Sequence, residues 1–142
     1  MLEIPPTPGR RGVIGVVVRD GRFLMIRRSA HVVAPLAHCF PGGGIHPGES
    51  EPEALVREFQ EELHLKVRPL RRIWESVTPW QVCLSWWSAE LPADAQPVAN
   101  PAEVESIHWV TPTEMAALPN PLPSNFEFLE ALRAGQINLS PQ

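Results

Sequence analysis

Apolar and β-branched positions crowd first into Val13-Ile14-Gly15-Val16-Val17-Val18-Arg19 and again into Arg22-Phe23-Leu24-Met25-Ile26-Arg27, with only Asp20-Gly21 between them. An Asp-Gly pair joining two β-rich runs is the signature of a two-residue hairpin, because both central residues of that turn need positive φ. Two antiparallel strands are expected. The period is lost over 29–40, which reads as a loop, and Pro41-Gly42-Gly43-Gly44 and Pro47-Gly48 then punctuate the chain. A helical period follows: Leu55, Phe59 and Leu63 form one stripe that can pack on a sheet. Ser50 with Glu53 three residues on makes a capping box, and Pro52 falls in the first turn, where a missing N–H is tolerated. Nothing breaks the helix over 53–63. Further strands are expected over 66–78, 81–90 and 104–110. Thr111 caps a short helix, and a last helix over 124–133 turns Phe126, Leu129 and Leu132 to one side and stops at Gly135.

At 142 residues the chain has the size of one compact domain, taken as 1–142. With 44% hydrophobic and 20% charged residues it reads as a soluble globular protein, and no apolar run approaches a bilayer span, which excludes a membrane protein. Pro5, Pro6 and Pro8 precede the first apolar stretch and no small-residue cleavage site follows it, so the start does not read as a secretory leader and a cytoplasmic location is expected. Twelve basic against sixteen acidic residues leave a net charge of −4 without a basic stripe, which argues against polymeric nucleic acid as a partner. The 17 prolines, more than twice the usual ~5%, stiffen the connections over 92–123. Cys39 and Cys83 match neither a disulfide framework nor a zinc spacing and read as small buried apolar residues.

On the first helix Glu58, Glu61 and Glu62 stand at i, i+3 and i+4, so at about 100° per residue their carboxylates share one face. Like charges that close repel, and a positive partner is required. Mg²⁺ suits them, since it takes carboxylate, water and phosphate oxygens. A solvated acidic face is the alternative for the helix alone. Arg57 belongs to neither stripe and can reach back to a carboxylate or a loop carbonyl. The glycines at 42–44 and 48 allow close backbone approach to a ligand, or explain a tight turn equally well.

Taken together, Gly43, Glu49, Arg57, Glu58, Phe59, Glu61, Glu62 and Leu65 stand at the spacing of the Nudix signature, and the chain resembles that family; the one departure is His64, where the family has a glycine. A histidine can take the left-handed conformation there at a cost of ~1 kcal/mol. The resemblance implies an α/β fold, an α/β/α sandwich with a mixed β-sheet, in which the signature forms a loop-helix-loop that holds divalent metal and cleaves a phosphoanhydride in a nucleoside diphosphate linked to another group. It implies Glu58, Glu61, Glu62 and the carbonyl of Gly42 as ligands of Mg²⁺ or Mn²⁺, Glu58 or a loop glutamate as base, Arg57 orienting Glu58, and Glu49 supporting the site.

Beyond the signature, the chain is similar to the MutT-like nucleoside triphosphate pyrophosphohydrolases. That likeness implies Arg27 as a phosphate contact, Asn125 as a base contact and Glu103 as a downstream metal-binding glutamate. Each has a plain alternative: a strand-end charge, a helix cap or first-turn residue, and a loop carboxylate. Phe40, before the glycines, is a further candidate substrate contact. Five tryptophans without a tyrosine invite base stacking, although adjacent Trp86 and Trp87 must face opposite sides of a strand, and Trp74, Trp80 and Trp109 read as core or rim residues. His31, His38, His46 and His108 show no ligand spacing and read as loop or core residues.

The expected reaction is metal-dependent hydrolysis of a small nucleotide, a (d)NTP giving NMP and pyrophosphate. ADP-ribose, an ADP-sugar or a dinucleotide is the alternative, and a non-catalytic nucleotide-binding module is a third reading. Exposed strands and tryptophans leave a homodimer open.

Overall fold

The computed structural model describes residues 10–139, so the reading of the chain's start falls largely on residues 1–9, outside that range. The first apolar run is not one strand. It divides at Val17 into β1 (Arg11–Val16) and β2 (Val18–Arg19), which enter different sheets. Val13, Ile14, Val16 and Val17 are all buried, and a run without a polar face carries no alternation that would mark the break. The hairpin is present but confined to β2 and β3 (Arg22–Arg28): Arg19 lies opposite Arg22, and Asp20 and Gly21 both take positive φ.

Two four-stranded sheets carry the fold. The first has the order β5-β1-β7-β6, from β5 (Gly42–Gly44), β1, β7 (Cys83–Glu90) and β6 (Arg68–Val77). It is mixed, since β1 and β7 run parallel while its other pairs are antiparallel. In the second, β3 pairs with β2, with β4 (His38–Cys39) and with β8 (Val104–Val110), all antiparallel. Strands β4 and β5 correct the reading of 29–40 and 42–44 as loop and turn. Glycines carry no side-chain pattern to announce a strand, yet β1 demands one at 42: a Cβ on Gly42 would lie 2.2 Å from the Val13 carbonyl oxygen.

Helix α1 (Glu51–Leu63) opens with both halves of the Ser50–Glu53 capping box formed, and closes at His64, which takes the left-handed conformation with φ 54°. Leu55, Phe59 and Leu63 are fully buried, each contributing about 1.5–3 kcal/mol. Phe59 lies so close to β1 that a Cβ on Gly15 would meet its ring at 2.5 Å. Thr111 caps the short α2 (Pro112–Ala116) with a second capping box. Helix α3 (Pro123–Arg133) turns Asn125, Phe128 and Ala131 inward, while Phe126 is 45% exposed. Of the stripe read as Phe126, Leu129 and Leu132, the two leucines pack against the core and Phe126 is corrected to the exposed face. The true centre of the stripe includes an asparagine, which a hydrophobic pattern passes over.

Phe128 anchors an aromatic cluster, with ring centroids 4.9 Å from Phe40, 5.2 Å from Trp86 and 5.6 Å from Phe23. Trp86 is thus in the core, while Trp87 on the opposite face donates its indole N–H to Glu51 at 2.8 Å. Cys39 is buried as expected, but Cys83 is exposed. Among the described residues no helix is long and apolar enough to cross a membrane.

Candidate active site

Strand β5, helix α1 and the loop between them place Gly43, Glu49, Glu58 and Glu62 of the signature on one cleft of about 820 Å³. Its lining includes Gly42, Gly43, Gly44, Glu49, Glu58, Glu62 and Glu103, with Arg10, Arg11, Arg28 and His31 also on its wall. One carboxylate oxygen from each of Glu58, Glu61 and Glu103 lies within 4.8 Å of the other two. Glu58 and Glu61 come from one helix face, whereas Glu103 arrives from the turn before β8. Gly43 is indispensable to this approach, since a Cβ there would sit 2.4 Å from Glu58 Cδ.

Arg57 organises the acidic groups. Its Nε and Nη2 hold both oxygens of Glu49, at 2.6 and 3.0 Å, its Nη1 donates to Glu58 at 2.9 Å and to Glu61 at 3.2 Å, and Nη2 also donates to the Gly44 carbonyl at 2.8 Å. The bidentate grip, with a second bond from the His46 backbone N–H, lowers the Glu49 pKa to about 2. The same pairing raises Arg57 further above its ordinary range.

The other carboxylates move the opposite way. Burial pushes Glu58 up against the pull of Arg57, and the charges of Glu61 and Glu103 add to the push. Glu62 is pushed well up, by burial first and the Glu58 charge second, although its Oε1 accepts from the Gly42 N–H at 3.2 Å. Glu103 is raised by burial and then by Glu61. A group of hard oxygen donors whose charged forms are penalised by burial and mutual repulsion fits Mg²⁺ or Mn²⁺, and Glu58, Glu61 and Glu103 are the residues that would share it. Glu62, turned to the Gly42 amide, is outside that trio and borders it.

Two sequence-derived contacts are corrected. Phe40 is only 2% exposed and belongs to the aromatic cluster, so it is not available to a ligand as the structure stands. Arg27 does not line the cleft: its Nε donates to the Leu36 carbonyl at 3.1 Å and its Nη1 pairs with Glu105 at 3.1 Å. The neighbouring Arg28, which the sequence reading passed over, takes that place. Asn125 is 1% exposed; its Nδ2 donates to the His38 carbonyl at 2.9 Å and its Oδ1 has no protein partner. It is a first-turn residue of α3 rather than its cap, since the N-cap is Leu122, which makes no side-chain cap bond.

The NUDIX domain family model matches residues 9–132. A CTP pyrophosphohydrolase of Escherichia coli is 32% identical over 127 residues, which cover 86% of this chain and 90% of that protein. A Nudix hydrolase of Deinococcus radiodurans is 37% identical over 79 residues, covering 54% of this chain and 46% of that protein, less than half its length. Among solved structures, the MutT protein from Methanosarcina mazei superposes with a TM-score of 0.76 at 22% identity, covering 91% of this chain and 96% of that one. At that identity the likeness is one of fold.

Proposed function

The chain belongs to the Nudix hydrolase family, and on that premise we propose that it hydrolyses a nucleoside triphosphate to the monophosphate and pyrophosphate. The observation that carries this reading is one cleft lined by both signs: Glu58 and Glu103 of the carboxylate trio share its wall with Arg28, Arg10 and Arg11. A carboxylate trio alone would repel a polyphosphate; with a divalent cation between them the signs alternate. The near full-length match to a CTP pyrophosphohydrolase supports the triphosphate over other linked diphosphates.

Glu58, Glu61 and Glu103 would hold Mg²⁺ or Mn²⁺, with Glu62 and the Gly42 backbone bordering them. Such an ion supplies neutralisation of the diphosphate and a lowered pKa for water. Arg28 contacts phosphate in place of Arg27. Arg57 keeps Glu58 and Glu61 aimed, while Glu49 fixes Arg57 from behind. The proton of the attacking water goes to a carboxylate of the cluster, among which Glu58 and Glu103 are raised above the ordinary carboxylate value by burial. Asn125 has its donor committed to His38 and its Oδ1 unpartnered, but like Phe40 it is buried off the cleft wall, so it reads a base only if α3 shifts to expose it.

A panel of nucleotides assayed with Mg²⁺ or Mn²⁺ tests the proposal. CTP and other triphosphates should yield NMP and pyrophosphate, and Glu58→Gln should lower turnover by orders of magnitude with the fold retained. Release of orthophosphate from triphosphates, or cleavage confined to ADP-ribose or ADP-sugars, overturns the triphosphate assignment. Nucleotide binding without cleavage makes the chain a binding module.

A further inference from the structure

The last carbonyls of an α-helix have no partner within it. At the end of α1 three of them in succession are met by one distant segment. The Glu61 carbonyl accepts from Asn100 Nδ2 at 3.0 Å, the Glu62 carbonyl from the Asn100 backbone N–H at 2.9 Å, and the Leu63 carbonyl from the Val98 N–H at 2.9 Å. His64 adds a ring contact, Nδ1 to the Val98 carbonyl at 2.8 Å; since a carbonyl only accepts, Nδ1 carries the proton.

The segment pinned in this way leads directly to Glu103. Asn100 Nδ2 has a second N–H, directed to Glu103 Oε2 at 3.4 Å, and Asn100 Oδ1 accepts from the Ala102 N–H at 3.2 Å. From the other side Ser29, buried next to Arg28, donates its N–H to the Glu103 carbonyl and its hydroxyl to that of Ala102, both at 3.0 Å. The Glu103 backbone is thereby fixed, but its side chain is repelled by the very carboxylates it must join. Among the described residues, Asn100 supplies the side-chain hydrogen bond to this carboxylate.

We propose that Asn100 is a positioning residue for the metal site: one side-chain amide ties the end of α1 to the Glu103 carboxylate and so sets that carboxylate against Glu58 and Glu61. The inference rests on the reading of the trio as a metal site. An amide is the suitable group, because its two N–H bonds diverge to serve two acceptors while its oxygen serves the turn.

The test is Mn²⁺ titration of nucleotide-free protein, with free Mn²⁺ read by electron paramagnetic resonance, for wild type, Asn100→Ala, Glu103→Gln, the double variant and Glu58→Gln. Asn100→Ala should raise the Mn²⁺ Kd by about tenfold, as loss of an outer partner of a metal ligand does. Glu103→Gln should raise it at least as much, and adding Asn100→Ala to Glu103→Gln should change it by less than about twofold. An undiminished further loss in the double variant shows that Asn100 acts through the helix end and overturns the proposal, as does an unchanged Kd in Asn100→Ala. Weakening in Glu58→Gln without weakening in Glu103→Gln also sinks Asn100's role alone, whereas wild-type affinity in both sinks the metal-site reading beneath it. Asn100→Ser, which keeps every backbone bond, enters the same cycle should alanine lower the folded yield.

Discussion

Arg57 commits its guanidinium to three carboxylates and a carbonyl, so its neighbours are arranged around a charge that cannot titrate away. Glu49 shows the consequence. Its pKa is depressed to about 2, so its contribution to stability is complete above the ordinary value of 4.5 and fades as pH falls through about 2. Urea midpoints should therefore be lower for Glu49→Gln than for wild type at pH 7, and the two should converge between pH 4.5 and 2. Glu62 has the opposite sign: its raised pKa means that ionisation costs the folded state above that pKa. Glu62→Gln should raise the melting temperature of the metal-free protein near neutral pH, with the gain vanishing below pH 4.5. The carboxylate face of α1 was legible because helical spacing alone brings Glu58 and Glu61 together. Arg28 was not, since Arg27 and Arg28 are chemically identical neighbours and the β3–β8 register shifts between them, which removes any simple alternation.

Among the elements, those with strong local rules were readable. The Ser50 and Thr111 capping boxes, the Asp20-Gly21 turn and the β8 boundaries all follow from residue types within a few positions. Strands β4 and β5 depend on partners elsewhere in the chain and were read as irregular. Helix α1 also contains a local conflict, since His64 holds a left-handed φ that glycine takes freely, yet its ring bonds the Val98 carbonyl. His64→Ala keeps the strain and loses the bond, so it should be less stable than His64→Gly, by roughly 1 kcal/mol in denaturant unfolding. Where α1 meets β1, Gly15→Ala drives a Cβ into the Phe59 ring and should cost about 1–3 kcal/mol.

Across the whole molecule, the acidic trio draws on both sheets: α1 packs against β1 and β5 of one, and Glu103 leads into β8 of the other. A cation bound there ties the two halves together and stabilises only the folded form. At a metal concentration near 100 times Kd this amounts to about 2.7 kcal/mol, a rise in melting temperature of roughly 5–10 °C for a chain of this length. Glu58→Gln should abolish the rise measured by calorimetry. That carboxylates would gather on α1 was readable from the helical spacing, but Glu103, which lies beside Glu58 and Glu61, stood out only by likeness, because no helical or strand period links it to α1. The stitching of Asn100 to the carbonyls of Glu61 and Glu62 bears on the order in which the molecule assembles. These contacts close a loop containing the entire β6–β7 hairpin, so loop-closure entropy delays them until that hairpin has zipped up. A nascent chain halted before residue 98 could form the signature helix, but its affinity for cations would emerge only with the later segment, making competence for chemistry among the last properties acquired during synthesis.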